Sequence, residues 1–138
     1  MSTAISLWPN DLTQTSAHTP VHILKEQAQY LANATKGLVI GRVTTIGLAD
    51  EKFSSALDLI VPAIRSYSYQ LLRMDHDLSL YPVTIWAKSN EMTTATLMGQ
   101  PQKRQVNNEQ EFIAVLKEIF ESKSTREILS ALMAQAKA

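Results

Sequence analysis

The stretch Phe53-Ser54-Ser55-Ala56-Leu57-Asp58-Leu59-Ile60-Val61 decides the fold. In an extended chain Phe53, Ser55, Leu57, Leu59 and Val61 fall on one side. Ser54, Ala56, Asp58 and Ile60 fall on the other. A period of two with one apolar side marks a half-buried β-strand. Upstream, Leu38 to Ile46 is rich in β-branched residues (Val39, Ile40, Val43, Thr44, Thr45, Ile46), which suit a pleated surface. Downstream, Tyr67, Tyr69, Leu71 and Arg73 share one face of a third strand. Leu80 to Ala87 supplies a fourth, and Met92 to Met98 a fifth.

The connections between these runs are short. Gly47 to Lys52, Pro62 to Ser66, the turn that begins at Asp75, His76 and Asp77, and Lys88 to Asn90 all leave no room for a crossover helix. Neighbouring strands are therefore antiparallel. Pro82 cannot donate to a ladder, so the fourth strand either lies near an edge or begins there. Ile40 and Ile46 alternate with Val39 and Val43, which gives both faces of the first strand apolar residues. A meander with one apolar face needs a second layer to cover it.

Helices on either side supply that layer. Thr19 is a suitable N-cap and Pro20 a suitable first helical residue. Leu24, Ala28, Leu31 and Thr35 then form a stripe at helical spacing, widened by Ile23, Tyr30 and Ala34, with Gly37 after Lys36 as the stop signal. Gly99 to Asn107 is almost without apolar residues and reads as an exposed loop. Asn108 with Glu111 resembles a capping box that opens a second helix, whose apolar face is Phe112, Ile113, Val115, Leu116, Ile119 and Phe120. Ser124 with Glu127 caps a third, with Ile128, Leu129, Leu132, Met133 and Ala136 as its stripe. The fold class is α+β: an N-terminal helix, an antiparallel meander of about five strands, and two C-terminal helices packed mainly on one face of the sheet. Residues 1–18 read as an arm and residues 19–138 as a single α+β domain. Within the arm, Trp8 between Leu7 and Pro9 is expected to dock on its own domain, with a neighbouring subunit as the alternative, because a large aromatic side chain gains most from burial.

Composition narrows the chemistry. The 138 residues carry a formal net charge of zero. This disfavours a protein that must neutralise many phosphates. The absence of cysteine excludes disulfides, thiolate catalysis and cysteine-based zinc sites. No apolar run reaches the roughly 20 residues that span a bilayer. No basic region followed by an apolar run marks the N-terminus, so a cytoplasmic protein with no membrane partner is expected. Phosphate-binding loops, dinucleotide fingerprints and nucleophile elbows are all missing, and no cofactor is expected.

Four groups of residues remain as candidates. Asp75, His76 and Asp77 could hold a divalent ion for a metal-assisted hydrolase, although an extended segment points His76 away from the two carboxylates. His18 and His22 stand four apart, but the cap at Thr19 leaves His18 outside the helix. Arg65, Tyr67, Tyr69 and Arg73 interleave basic and aromatic residues on one strand, a pattern that can stack and hold single-stranded nucleic acid. Lys103 and Arg104 form the basic tip of the loop. A catalytic constellation is not among these patterns. The expected function is a small non-enzymatic protein-interaction module (an adaptor, chaperone-like factor or accessory subunit) that forms a homodimer or meets another protein. Trp8, Arg65, Tyr67, Tyr69, Arg73, Lys103 and Arg104 are its contact residues. The alternatives are a nucleic-acid-associated protein and a metal-assisted hydrolase. In element order the chain is similar to the secretion chaperones, with no shared motif.

Overall fold

A computed structural model describes residues 5–9, 19–48, 50–87 and 102–138. The first helix, α1, is Pro20–Ala34. The Thr19 hydroxyl accepts the His22 N–H at 3.0 Å, and Pro20 occupies the position where a missing N–H costs nothing. At the other end the Lys36 N–H donates to the Asn33 carbonyl (3.3 Å) and the Gly37 N–H to the Ala32 carbonyl (2.8 Å). This is a Schellman closure, with Lys36 (φ 54°) taking the first left-handed position and Gly37 (φ 81°) following it. Thr35, expected in the apolar stripe, is a buried clamp. Its hydroxyl accepts the Val39 N–H (3.1 Å) and donates to the Val39 carbonyl (2.9 Å), which turns the chain into the sheet.

Among the described residues five antiparallel strands follow in the order β1-β2-β3-β4-β5: Ile40–Leu48, Lys52–Val61, Tyr67–Asp77, Val83–Ala87 and Gln102–Val106. The meander is as the connection lengths require. β4 begins directly after Pro82 and is an interior strand. The expected fifth strand at Met92 to Met98 lies outside the described residues. Among the described residues the fifth strand is Gln102–Val106, inside the segment expected to be an exposed loop. The polar sequence hid it because an edge strand is held by backbone bonds to one neighbour, here from Val83↔Val106 to Ala87↔Gln102. Its Val106 joins the core, while Lys103, Arg104 and Gln105 are exposed.

Two helices close the chain, α2 (Glu109–Glu121) and α3 (Lys123–Lys137). The side-chain carbonyl oxygen of Asn108 accepts the Glu111 N–H at 2.9 Å, and the Glu111 carboxylate accepts the Asn107 N–H at 2.9 Å. The box is thus closed one residue further back than the standard form. The break between the helices falls as expected, but its cap is Ser122, not Ser124. Ser122 has extended backbone (ψ 151°), and its hydroxyl accepts the Thr125 N–H at 3.1 Å. Ser124, inside the first turn, is buried. The Thr125 hydroxyl donates to the Ile119 carbonyl at 2.6 Å and seals the end of α2. Replacing Ser122 by Ala is expected to cost about 1 kcal/mol in urea denaturation, whereas Glu127→Gln, the partner in the misplaced box, should cost under about 0.5 kcal/mol.

The helices α1, α2 and α3 lie on one face of the sheet. α1 packs on β1 and β2, α2 on β5, and α3 on the short 3-10 turn Pro62–Ile64. Leu57, Leu59, Val61, Leu72, Met74 and Ile85 of the sheet meet Leu24, Phe112 and Leu116 of the helices there. Gly41 sets the approach of α1. A Cβ at this position would stand 2.7 Å from the Ala28 Cβ and 2.9 Å from its Cα, so only a glycine lets the helix lie this close to β1. Among the described residues no helix is long and apolar enough to cross a membrane.

Candidate functional site

The pairing of β2 with β3 contains a bulge. Leu57 is opposite Leu72 and Asp58 is opposite Gln70, so Leu71 is an extra residue. A single extra residue exchanges the faces of everything beyond it. Tyr67 and Tyr69 stay on the helix-covered side, opposite Val61 and Leu59. Arg73, opposite Ala56, moves to the open side. The expected row Arg65, Tyr67, Tyr69, Arg73 is therefore not one face. Arg65 sits off the strand in the preceding turn with φ 58°. Tyr67 is exposed at the rim, and Tyr69 packs against the core. Burial, and then the neighbouring Tyr67, push the Tyr69 hydroxyl pKa above its usual value.

The same parity separates the acidic turn. Asp75 is opposite Ser54 and Thr84 on the open side, and His76 is opposite Phe53 and Val83 on the covered side. His76 is buried. Its ring stacks on Phe53 at 5.7 Å between centroids, and its Nδ1 lies 2.8 Å from the Asp77 carbonyl oxygen. Asp75 pairs with Arg73 at 3.2 Å. Among the described residues no group of three His, Cys, Asp or Glu side chains could hold a metal ion. His22 pairs with Glu26 at 2.9 Å, and His18 lies outside the described residues. Asp75, His76 and Asp77 form the end of β3, with His76 packed on Phe53.

Lys103 and Arg104 are strand residues, not a loop tip, and they face opposite ways. Arg104, opposite Ile85, is on the helix side and reaches Glu118 of α2 at 2.5 Å. Lys103 is opposite Trp86 on the open side. The open face thereby acquires a row that the strands taken singly do not show. Arg73 stands with its guanidinium carbon 4.5 Å from the Trp86 ring centroid, and the Lys103 ammonium is 5.9 Å from it. The available signal was the alternation Val83, Ile85, Ala87 against Thr84, Trp86, which places one large aromatic on the solvent side of β4.

Trp8 does not dock on its own domain among the described residues. It is 74% exposed and Leu7 is 95% exposed. An apolar concavity lies on the helix side. α1 stands apart from α2 and α3, and a cleft runs between them over the middle of the sheet. Its inner part, about 220 Å³, has Leu59 and Leu71 as floor and Tyr30, Leu31, Phe120 and Leu129 as walls. The adjoining outer part, about 460 Å³, shares Gln27, Tyr30 and Phe120 and adds Ile23, Ile113 and Leu116. The bulge helps make the floor, because Leu71 and Leu72 both face inward. Glu26, Lys117 and Glu121 stand at the rim.

No family model, curated protein or solved structure matches the chain. The functional case therefore rests on the surfaces themselves.

Proposed function

We propose that the protein is a small non-enzymatic protein-interaction module, an adaptor, chaperone-like factor or accessory subunit, that self-associates and takes an amphipathic helix of a partner protein into the cleft between α1 and α2–α3. One observation carries the proposal: the cleft stays open where two helices of one layer would ordinarily close on each other. Its α1 wall runs from Ile23 to Ala34, which at the rise of an α-helix is about 16 Å, three turns. That length, an apolar floor and a charged rim are what a helix-in-groove partner needs, with anchors at helical spacing. The exposed Tyr30 and the half-buried Phe120 offer aromatic area of the kind that anchors interfaces. Nucleic-acid association has less support, since the strand face it was read from is divided between the two sides of the sheet.

Ala34→Arg tests the cleft. Ala34 is an exposed lining residue in the last turn of α1, where no basic residue now stands and a cation is favourable, so stability should change by less than about 0.5 kcal/mol. The wild-type protein is expected to enhance Nile red fluorescence, and the variant to lose at least about threefold of that enhancement. Partner binding measured on immobilised wild type and variant should fall in parallel. Equal dye binding and equal partner binding by the two proteins would remove the cleft as the site.

A further inference from the structure

The two edges of the sheet differ in how they are protected. β5 is five residues long and presents Lys103, Arg104 and Gln105. A short strand rich in charge is one of the standard ways to keep an edge from pairing with another chain. β1 has none of these devices. It is nine residues long, contains no proline and no lysine, and pairs with β2 without a bulge from Ile40↔Ile60 to Leu48↔Lys52. Its one charge, Arg42, is held by Asp58 on the neighbouring strand at 3.3 Å. Among the described residues nothing pairs with its outer side.

The side chains on the open face of β1 are Ile40, Arg42, Thr44, Ile46 and Leu48. The three apolar ones are exposed by 39%, 61% and 44% in chain order, against a sheet face that otherwise carries mostly polar residues. Their order is nearly the same in both directions. Antiparallel pairing of the strand with itself about its midpoint, Thr44, uses all nine residues. It sets Ile40 opposite Leu48 of the second copy at both ends, Thr44 opposite itself, and Ile46 opposite Arg42 of the second copy twice. Apolar pairs and threonine pairs directly across a ladder are favourable.

We infer that β1 is a homodimer interface, in which two copies pair antiparallel about Thr44 and their sheets join into one continuous sheet. The inference rests on the self-association in the function proposed above and names its surface. α1 takes part. The close approach at Gly41 seats it over β1, so Lys25, Gln29 and Ala32 line a groove along the same edge and would meet the second copy on the helix side. The contact has the self-complementary form that a twofold interface requires.

The register makes the test specific. Ile46→Lys places a cation directly opposite Arg42 of the second copy, twice over. Ile46→Glu places an anion there at the same loss of apolar area. Light scattering behind size exclusion on the full chain is expected to give twice the 15.4 kDa chain mass for the wild type. Ile46→Lys should raise the dissociation constant by at least about tenfold, while Ile46→Glu stays within about threefold of wild type. Ile46 is exposed, so circular dichroism should show both variants folded. A dimer unaffected by Ile46→Lys would overturn the β1 interface and leave self-association standing. A dimer lost equally in both variants would overturn the register about Thr44. A wild-type monomer would overturn the inference and the self-association with it, while leaving the cleft to be judged by the Ala34→Arg result.

Discussion

Phe112→Ala is expected to lower the unfolding free energy by about 3–5 kcal/mol, the range for truncating a fully buried aromatic side chain. Phe112 has no exposed surface and is the largest of the fully buried side chains among the described residues. It lies in the first turn of α2, just after the chain leaves β5 at Val106, and so it fastens the C-terminal helices to the sheet. The lost atoms leave a cavity between two layers that cannot collapse without moving α2, which itself is tied at Asn108 and Arg104. For a chain of this length the cost corresponds to a fall in Tm on the order of 10–20 °C. Ile113→Ala is the matched control. Its side chain is 48% exposed, and the expected loss is below about 1 kcal/mol. Thermal and urea unfolding followed by circular dichroism would show the difference. Similar losses at both positions would mean that α2 is rotated about its axis relative to the packing described above.

Gly41→Ala is expected to destabilise by about 1–3 kcal/mol, the cost of overpacking a tight contact. Alanine in place of glycine ordinarily stabilises by about 0.4–1 kcal/mol through the unfolded chain. Here the neighbours at 2.7 and 2.9 Å are the Ala28 Cβ and Cα, and the Cα belongs to a helix that cannot yield as a flexible side chain would. The clash therefore outweighs the entropy. Gly47→Ala provides the opposite outcome on the same strand: nothing lies within 4 Å of its Cβ, and neutrality or a gain is expected. Ala28→Gly should rescue part of the Gly41→Ala loss. Rescue is incomplete because the helix backbone at residue 28 still crowds the new methyl group, and a glycine inside a helix costs about 1 kcal/mol. A double-mutant cycle should show coupling above about 0.5 kcal/mol. Additive effects would place α1 further from β1.

Both results bear on function through the same geometry. Gly41 draws α1 towards β1 at the edge of the sheet, and Phe112 holds α2 near β5 at the other side. The separation between these two anchor points leaves the middle of the sheet, Leu59 and Leu71, as the floor of the cleft. A change that loosens either anchor alters the width of the cleft as well as stability, so the two readouts should be measured on the same variants.

The element order, the antiparallel meander, the cap at Thr19 and the break near Ser122 were legible in the sequence by itself. Each depends on neighbours a few residues away: alternation along Phe53–Val61, connections too short for a crossover, a hydroxyl next to a proline. The tertiary structure alone decided which way Arg73 and Lys103 face. For Arg73, an extra residue at Leu71 reverses the alternation, and only pairing with β2 reveals it. Lys103 takes its side from pairing with β4. The same pairing decided that Gln102–Val106 is a strand. An edge strand is held by backbone bonds, which leave no apolar pattern behind. The cleft and the unprotected outer side of β1 belong to the same class. They are spaces between elements, set by where helices stop approaching one another and by which strand ends the sheet, and no local pattern of side chains encodes such distances.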